Sequence, residues 1–428
     1  MRALLPIGLL VLATTVAGCD ATSPEAGAPQ AEASGAAAAA ATAETPLHVA
    51  TWTLPAPDGA AQPDLVAAPD GTLLLSWIEP RGDGHVLRFA RHDGGSWSTP
   101  RTIAAGDDWF VNWADTPHLA ATADGALWAH WLRKSAAATY AYDVVLTRSG
   151  DGGDTWSEPL AVNQDGTPTE HGFVAMWPAG ASSLGIAWLD GRATAGGGHG
   201  GHGAGGMMTL RTARFDASLA RHDETRLDAS ACDCCQTSAA MTADGPVVAY
   251  RDRTHAEIRD IAVIRQVAGQ WQDPRIVHAD GWKMPACPVN GPGLDARGDD
   301  VVVAWYTGAG GTPHVRVAAS NDRGASFGAP VDVDAGENVQ GRLAVALGDG
   351  GAWVAWLRED AGGQALRLVR FDPATGSLGR ATRVSRVAGK GRGTGFPQLA
   401  LAGDRAHVVW TDVVDGKPRL RGAIVSAD

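Results

Sequence analysis

The amino-acid sequence predicts an all-β protein built from seven four-stranded sheets, and three observations support this prediction. The stretch from His118 to Val162 contains four short alternating runs, the first two joined by the turn pair Asp124-Gly125, as in antiparallel strands. A similar turn and a following aromatic residue recur along the chain, with successive aromatics 51 to 62 residues apart. A period near fifty residues with four strands per unit is typical of a β-propeller, here with seven blades and with six as the alternative.

Two markers identify each repeat: the turn before its second strand and the aromatic residue at the end of that strand. The last repeat, from Phe396, supplies only three strands, so Leu47 to Pro55 is expected to pair with the strand from Pro418 to Val425 and close the ring. The turns lie at Asp70, Asp124, Gly180, Asp244, Asp299, Asp349 and Asp404, and the aromatics are Trp77, Trp131, Trp188, Tyr250, Trp305, Trp356 and Trp410.

Composition agrees with this architecture and limits the partners. The 428 residues include 55 Gly and 24 Pro, which suit a protein of many tight turns. The net charge of −12 argues against nucleic-acid binding. We expect a monomer.

The N-terminal segment predicts export. Arg2 and the apolar run from Ala3 to Val16 are typical of a signal peptide, too short to span a membrane. The following VAGC resembles a bacterial lipobox, in which Cys19 carries lipid; the alternative is an ordinary signal peptide with a chance cysteine. The predicted organisation is a signal peptide over 1–18, a lipidated flexible tether over 19–45 and a propeller over 46–428, anchored to a bacterial membrane and facing the periplasm or the exterior.

Two short motifs carry a family resemblance. SGDGGDTW (Ser149 to Trp156) and SNDRGASF (Ser320 to Phe327) match the pattern S-x-D-x-G-x-x-[W/F], and HDGGSW (His92 to Trp97) is a shortened version. They resemble the Asp-box, or BNR repeat, of the sialidase superfamily of propellers. In that family the box is structural, so the resemblance implies fold rather than chemistry.

The catalytic motifs of sialidases are not found in this chain. There is no R-I-P sequence, the first inner strand reads QPDLVAA, and the last tyrosine is Tyr306, so no tyrosine lies in the C-terminal quarter. Six blades are usual in that family. The resemblance therefore gives no catalytic residue here.

Propeller geometry groups the unusual segments on one face. The loops between second and third strands share a face with the crossovers between blades, and the Asp-box turns lie on the opposite face. We name the first of these the crossover face. The segments expected there are GGGHGGHGAGGMM (196–208), ACDCCQT (231–237), RDRTHAEIRD (251–260) and WKMPACPVNGP (282–292).

Four cysteines fall in two of these segments: Cys232, Cys234, Cys235 and Cys287. One interpretation is a disulfide that joins Cys287 to one member of the triplet, since an exported protein meets oxidising conditions. The other is a site for copper or another thiophilic metal, because soft thiolates prefer such ions. His199, His202 and Met207 are candidate additional ligands, although the loop that carries them could equally be solvated.

Charged and aromatic residues predict a second kind of site on the same face. Arg192, Arg251 and Arg253 could form a rim that binds a glycan or a small anion, with Trp113 as a stacking platform. Alternatively the arginines form ion pairs that fix the loops, and the tryptophan packs beneath them.

Two functions from different classes therefore remain open. The first is an envelope protein that binds or handles a soft metal through the Cys/His/Met cluster. The second is a glycan-binding or glycoside-hydrolysing enzyme that uses paired carboxylates, with Asp115 and Asp252 as catalytic candidates beside Arg192 and Arg251.

Overall fold

Seven antiparallel sheets form a closed ring in the computed structural model, which describes residues 46–195, 206–361 and 363–427. The inner strand of each sheet contacts the inner strands of its two neighbours, and the inner strands of the first and seventh sheets also touch. The prediction of seven blades rather than six is confirmed. The predicted signal peptide, Cys19 and tether lie outside the described residues.

The first three blades follow one another along the chain after strand β1 (Leu47–Trp52). The first has β2 (Ala61–Ala67), β3 (Leu73–Arg81), β4 (Gly84–His92) and β5 (Arg101–Gly106). The second has β6 (Leu119–Ala121), β7 (Leu127–Lys134), β8 (Tyr142–Ser149) and β9 (Leu160–Ala161). The third has β10 (His171–Pro178), β11 (Leu184–Asp190), β12 (Thr209–Phe215) and β13 (Arg221–Asp228).

The fourth and sixth blades have a divided outer strand. The fourth contains β14 (Ser238–Met241), β15 (Pro246–Arg251), β16 (Ile261–Val267), β17 (Gln270–Trp271) and β18 (Arg275–Ile276). The fifth contains β19 (Gly293–Arg297), β20 (Asp300–Thr307), β21 (His314–Ser320) and β22 (Val331–Ala335). The sixth contains β23 (Val339–Gly348), β24 (Gly351–Asp360), β25 (Gly363–Asp372), β26 (Ser377–Leu378) and β27 (Thr382–Val387).

The seventh blade joins the two ends of the described chain. It consists of β28 (Gln398–Ala402), β29 (Arg405–Val414), β30 (Lys417–Ala427) and β1, which supplies the outer strand. Leu47 pairs with Ala427 and Trp52 with Gly422, so the predicted closure is confirmed, although β1 ends three residues before Pro55. Short 3₁₀ turns lie at Arg192–Thr194, Ala309–Gly311 and Gly391–Thr394.

Buried second strands hold the blades together. The repeated aromatics all lie in the interior, with Trp188 and Tyr250 fully covered. Four of the six repeated tryptophans donate the indole N–H to a nearby carboxylate, among them Trp188 to Asp190 over 2.7 Å and Trp356 to Asp334 over 2.8 Å. The buried indole N–H groups of Trp131 and Trp410 have no partner among the described residues. Burial of a large ring is therefore what all these positions share, and a satisfied donor adds to it at four of them.

Carboxylates at the inner strands also link one blade to the next. Asp64 accepts the backbone N–H of Leu119 over 2.7 Å, and Asp295 accepts that of Leu347 over 2.7 Å. The inner strands enclose a central cavity of about 990 Å³.

The Asp-box turns have the structural role that the resemblance implies. Asp151 accepts the backbone N–H groups of Asp154 and Thr155, each over 3.0 Å, and Ser149 donates its hydroxyl to Asp151. Asp322 caps the turn after Ser320 in the same way. None of the helices described is long and apolar enough to cross a membrane.

Candidate functional site on the crossover face

The cysteine triplet lies in the crossover between the third and fourth blades, and backbone hydrogen bonds fix it there. The N–H of Cys232 donates to the carbonyl of Arg251 over 2.9 Å, and the N–H of Ala231 donates to Met208 over 2.9 Å. Downstream, Thr237 donates its hydroxyl to the carbonyl of Phe173 over 2.6 Å. The triplet is therefore held between two blades on a rigid backbone.

The three sulfur atoms of the triplet converge. The Sγ of Cys232 is 3.3 Å from that of Cys235 and 3.9 Å from that of Cys234, and all three lie within 4.8 Å of one another. Cys232 and Cys235 are buried, and Cys234 is half-buried. A hydrogen-bonding contact with Cys234 places Cys287, which is exposed, beside this group. The structure thus brings all four predicted cysteines together in one thiol cluster.

All four cysteines of the thiol cluster are free thiols, so the structure does not support the interpretation in which Cys287 forms a disulfide with the triplet. Within the triplet, the separations of 3.3 and 3.9 Å from the Cys232 sulfur likewise far exceed an S–S bond length of about 2.05 Å.

Arginine faces the buried end of the thiol cluster. Nη1 of Arg259 donates to the Sγ of Cys232 over 3.1 Å, while Nη2 of the same residue pairs with Glu257 over 2.8 Å. Burial alone would raise the pKa of the Cys232 thiol, but its contacts with Cys234 and Cys235 and the charges of Arg259 and Arg251 hold that pKa well below its usual value. Contact with Cys234 likewise lowers the pKa of Cys287. The arrangement favours thiolate at Cys232 and at Cys287, whereas contact with Cys232 raises the pKa of Cys234 and burial raises that of Cys235.

The other predicted soft ligands are only partly described. His199 and His202 lie outside the described residues. Met207 is half-buried and Met208 buried, and Met208 is the residue whose carbonyl binds Ala231 beside the triplet.

The three predicted rim arginines are engaged within the protein. Arg192 forms two 2.7 Å bonds to Asp190, and Arg253 pairs with Glu257 over 2.9 Å. Arg251 is buried and donates to backbone carbonyls, including two bonds to Asn290 over 3.0 and 2.7 Å. These contacts match the alternative in which the arginines fix loop geometry.

Trp113 packs against the side chains of Phe396 and Arg342. Its ring stacks on Phe396 with 5.8 Å between centroids, and the guanidinium of Arg342 lies 4.9 Å from its centroid. The neighbouring Trp109 packs against Trp131 under the loop.

The two candidate catalytic carboxyls belong to different groups. Asp115 is buried near Tyr142 and Glu170, and the Tyr142 hydroxyl donates to Glu170 over 2.7 Å. Burial raises the pKa of Asp115 to about 7 and that of Glu170 to about 8. Asp252 instead lies near Asp228 and Asp260, and burial raises its pKa to about 6.

A third group of ionisable residues surrounds His171. Its Nε2 lies 3.1 Å from Asp165 and 3.8 Å from Asp190, and its Nδ1 lies 3.1 Å from the carbonyl of Tyr142. Burial lowers the pKa of His171, but the hydrogen bond to Asp165 and the charges of Asp190 and Asp165 raise it overall. The group acts as a buried ion network between the second and third blades.

Sequence reasoning did not identify Arg342 or Glu170. Arg342 lies within the sixth inner strand, β23, is buried, and donates to Thr394 over 2.6 Å, yet among the described residues it has no carboxylate partner. Burial lowers its pKa to about 10. A charged residue within an inner strand is the signal that could have revealed it. Glu170 gives no such signal, because it follows an ordinary polar crossover.

Comparisons with known proteins give only distant structural likenesses. No family model matches the chain, and no curated protein matches its sequence. Solved structures that resemble it include a protein of unknown function from Dyadobacter fermentans, with 14% identity, a TM-score of 0.49 and coverage of 87% of this chain and 95% of that one. The NanB sialidase of Streptococcus pneumoniae has 11% identity, a TM-score of 0.45 and coverage of 88% and 70%.

An α-L-arabinanase of Penicillium chrysogenum has 13% identity, a TM-score of 0.43 and coverage of 86% and 93%. Likeness this distant carries no argument about family or activity, and the propeller fold is established by the seven sheets of this chain itself.

Proposed function

We propose that this protein binds a thiophilic metal ion, with Cu(I) as the preferred ion, through Cys232, Cys234 and Cys235. The observation that supports the proposal is the convergence of three free thiol sulfurs within 4.8 Å on a fixed backbone. Metal–thiolate bonds of about 2.3 Å would place the sulfurs of a three- or four-coordinate site roughly 3.8 to 4.0 Å apart. The measured 3.3 and 3.9 Å need only small side-chain rotations to meet that requirement.

Charge supports the choice of a monovalent soft ion. Three thiolates around one Cu(I) carry a net charge of about −2. Arg259 and Arg251, which both act on the Cys232 thiol, supply two positive charges at the buried end of the cluster. Without such positive partners, burying an anionic complex would carry a large desolvation free energy.

The experiment is anaerobic titration of the full chain with Cu(I) and measurement of bound copper per chain. We expect one ion in the natural protein and none in the variant with Cys232, Cys234 and Cys235 all changed to Ser. The matched control is Met241→Leu, which removes an exposed thioether sulfur at the end of the inner strand β14, on the opposite face. Copper retained by the triple variant would overturn the proposal.

A second candidate function is recognition of an acidic glycan or another small anion, and Arg342 is the observation that favours it. A buried guanidinium without a carboxylate partner is an incomplete charge pair, and it lies 4.9 Å from the Trp113 ring, which has the guanidinium of Arg392 at 6.0 Å. Calorimetry with glucuronate and glucose would test this, because the two sugars differ by one carboxylate. We expect heat with glucuronate alone, lost in Arg342→Gln and kept in the triple cysteine variant. Equal signals from both sugars would contradict it.

A further inference from the structure

The four thiols of the cluster differ in exposure, from an exposed outer end to a buried inner end. Cys287 is exposed, Cys234 is half-buried, and Cys232 and Cys235 are buried. Contacts connect them in the same order: Cys287 touches Cys234, and the sulfur of Cys234 is 3.9 Å from that of Cys232, which is 3.3 Å from that of Cys235. Cys287, at the outer end of this series, is the member most exposed to a partner molecule.

The outer and inner ends also differ in their surroundings. Cys287 lies in an exposed stretch with Pro285 and Ala286. Cys232 is buried and has Arg259 as a fixed hydrogen-bond donor at 3.1 Å. An accessible sulfur exchanges ligands readily, whereas a buried sulfur beside a fixed positive charge holds an ion.

We infer that Cys287 is the ligand that receives the metal from a thiolate-bearing donor, and that the ion then passes to Cys234, Cys232 and Cys235, which hold it. This inference rests on the proposed function. The partner it implies is a carrier that presents a soft ion on sulfur ligands.

The exchange balances as a series of ligand substitutions without a redox step. A bond forms between Cu(I) and the Cys287 sulfur while a bond to the donor's sulfur breaks. Bonds to Cys234, Cys232 and Cys235 then form as the remaining donor bonds and finally the bond to Cys287 break, and the released Cys287 thiolate can take up a proton. Each protein thiol that becomes a ligand loses its proton to solvent, each released donor thiolate can take up a proton, and copper stays Cu(I).

The test separates loading rate from final binding, with a Cu(I)–glutathione complex as the donor. Stopped-flow absorbance of sulfur-to-copper charge transfer would follow loading of the full chain, and competition with a Cu(I) chelator would give the affinity. We expect Cys287→Ser to load about tenfold more slowly and to keep one copper per chain with nearly unchanged affinity. The matched variant Cys235→Ser should show the reverse: fast initial capture and weakened binding.

Different results would overturn the exchange role of Cys287 and the copper site formed by Cys232, Cys234 and Cys235. A Cys287→Ser protein that loads as fast as the natural one overturns the exchange role and leaves the buried site intact. A Cys287→Ser protein that binds no copper at equilibrium also overturns it, since Cys287 would then be a permanent ligand. Retention of copper by the triple cysteine variant overturns the proposed function itself.

Discussion

The two faces of this propeller differ in whether their residues are repeated from blade to blade. On the Asp-box face, Asp151 and Asp322 close turns of the same geometry two or more blades apart. On the crossover face, the thiol cluster occurs once, at the crossovers that flank the fourth blade. Residues that recur from blade to blade have a structural role that all blades share, namely the folding of a sheet. Residues that occur once have no such shared role, so a specific function is expected among them.

The largest expected effect concerns a repeated position. Trp188→Ala removes a fully buried ring and leaves Asp190 without its indole donor. The free energy of unfolding should fall by about 3–5 kcal/mol, which denaturant titration would measure. Trp188→Phe, which keeps an aromatic ring, should lose less. A loss under about 1 kcal/mol for the Ala variant would contradict the structural role of the repeats.

The next effect concerns Arg259 on the crossover face. Arg259→Gln removes the positive charge 3.1 Å from the Cys232 sulfur. We expect Cu(I) affinity to fall about 10- to 100-fold, as is common for residues that support metal ligands. Arg259→Lys keeps the charge and should lose less. Unchanged affinity in Arg259→Gln would show that the arginine only supports the loop.

The buried carboxyls predict a pH dependence of stability. Burial raises the pKa of Glu170 to about 8, above its ordinary value of 4.5, so the protonated form is favoured in the folded state. The resulting stability is full below pH 4.5 and is lost as the pH rises through about 8. Glu170→Gln mimics the protonated form and should flatten the decline between pH 5 and pH 8, measured as melting temperature. An identical slope in both proteins would contradict the assignment.

The smallest effect concerns an Asp-box. Asp322→Ala removes a carboxylate that accepts the N–H and the hydroxyl of Ser326. Unfolding free energy should fall by about 1 kcal/mol, because the turn is solvent-exposed and water replaces part of the lost bonding. Copper binding should not change. A change in affinity would mean that the two faces are coupled.

Much of the fold could be predicted because strand alternation, turns and period are local signals. The bounds of β1 differ because its ladder ends where Trp52 pairs with Gly422, and Pro55 has no N–H to extend it. The split outer strands of the fourth and sixth blades have no comparable sequence signal.

The candidate site could be predicted only in part. Chain topology alone placed the four cysteines on one face, and the structure brings the sulfurs of Cys232, Cys234 and Cys235 within 4.8 Å of one another, with Cys287 in contact with Cys234. The partners of the rim arginines could not be foreseen, because Glu224 and Glu257 reach them through loop and strand geometry that sequence spacing does not encode. The isolation of Arg342 is likewise a property of three-dimensional packing.

X-ray absorption at the copper K-edge of the Cu(I)-loaded full chain tests the central claim most directly. The account predicts a first shell of about three sulfur atoms near 2.3 Å, and loss of that shell in the triple cysteine variant. A first shell made of nitrogen and oxygen alone would contradict it.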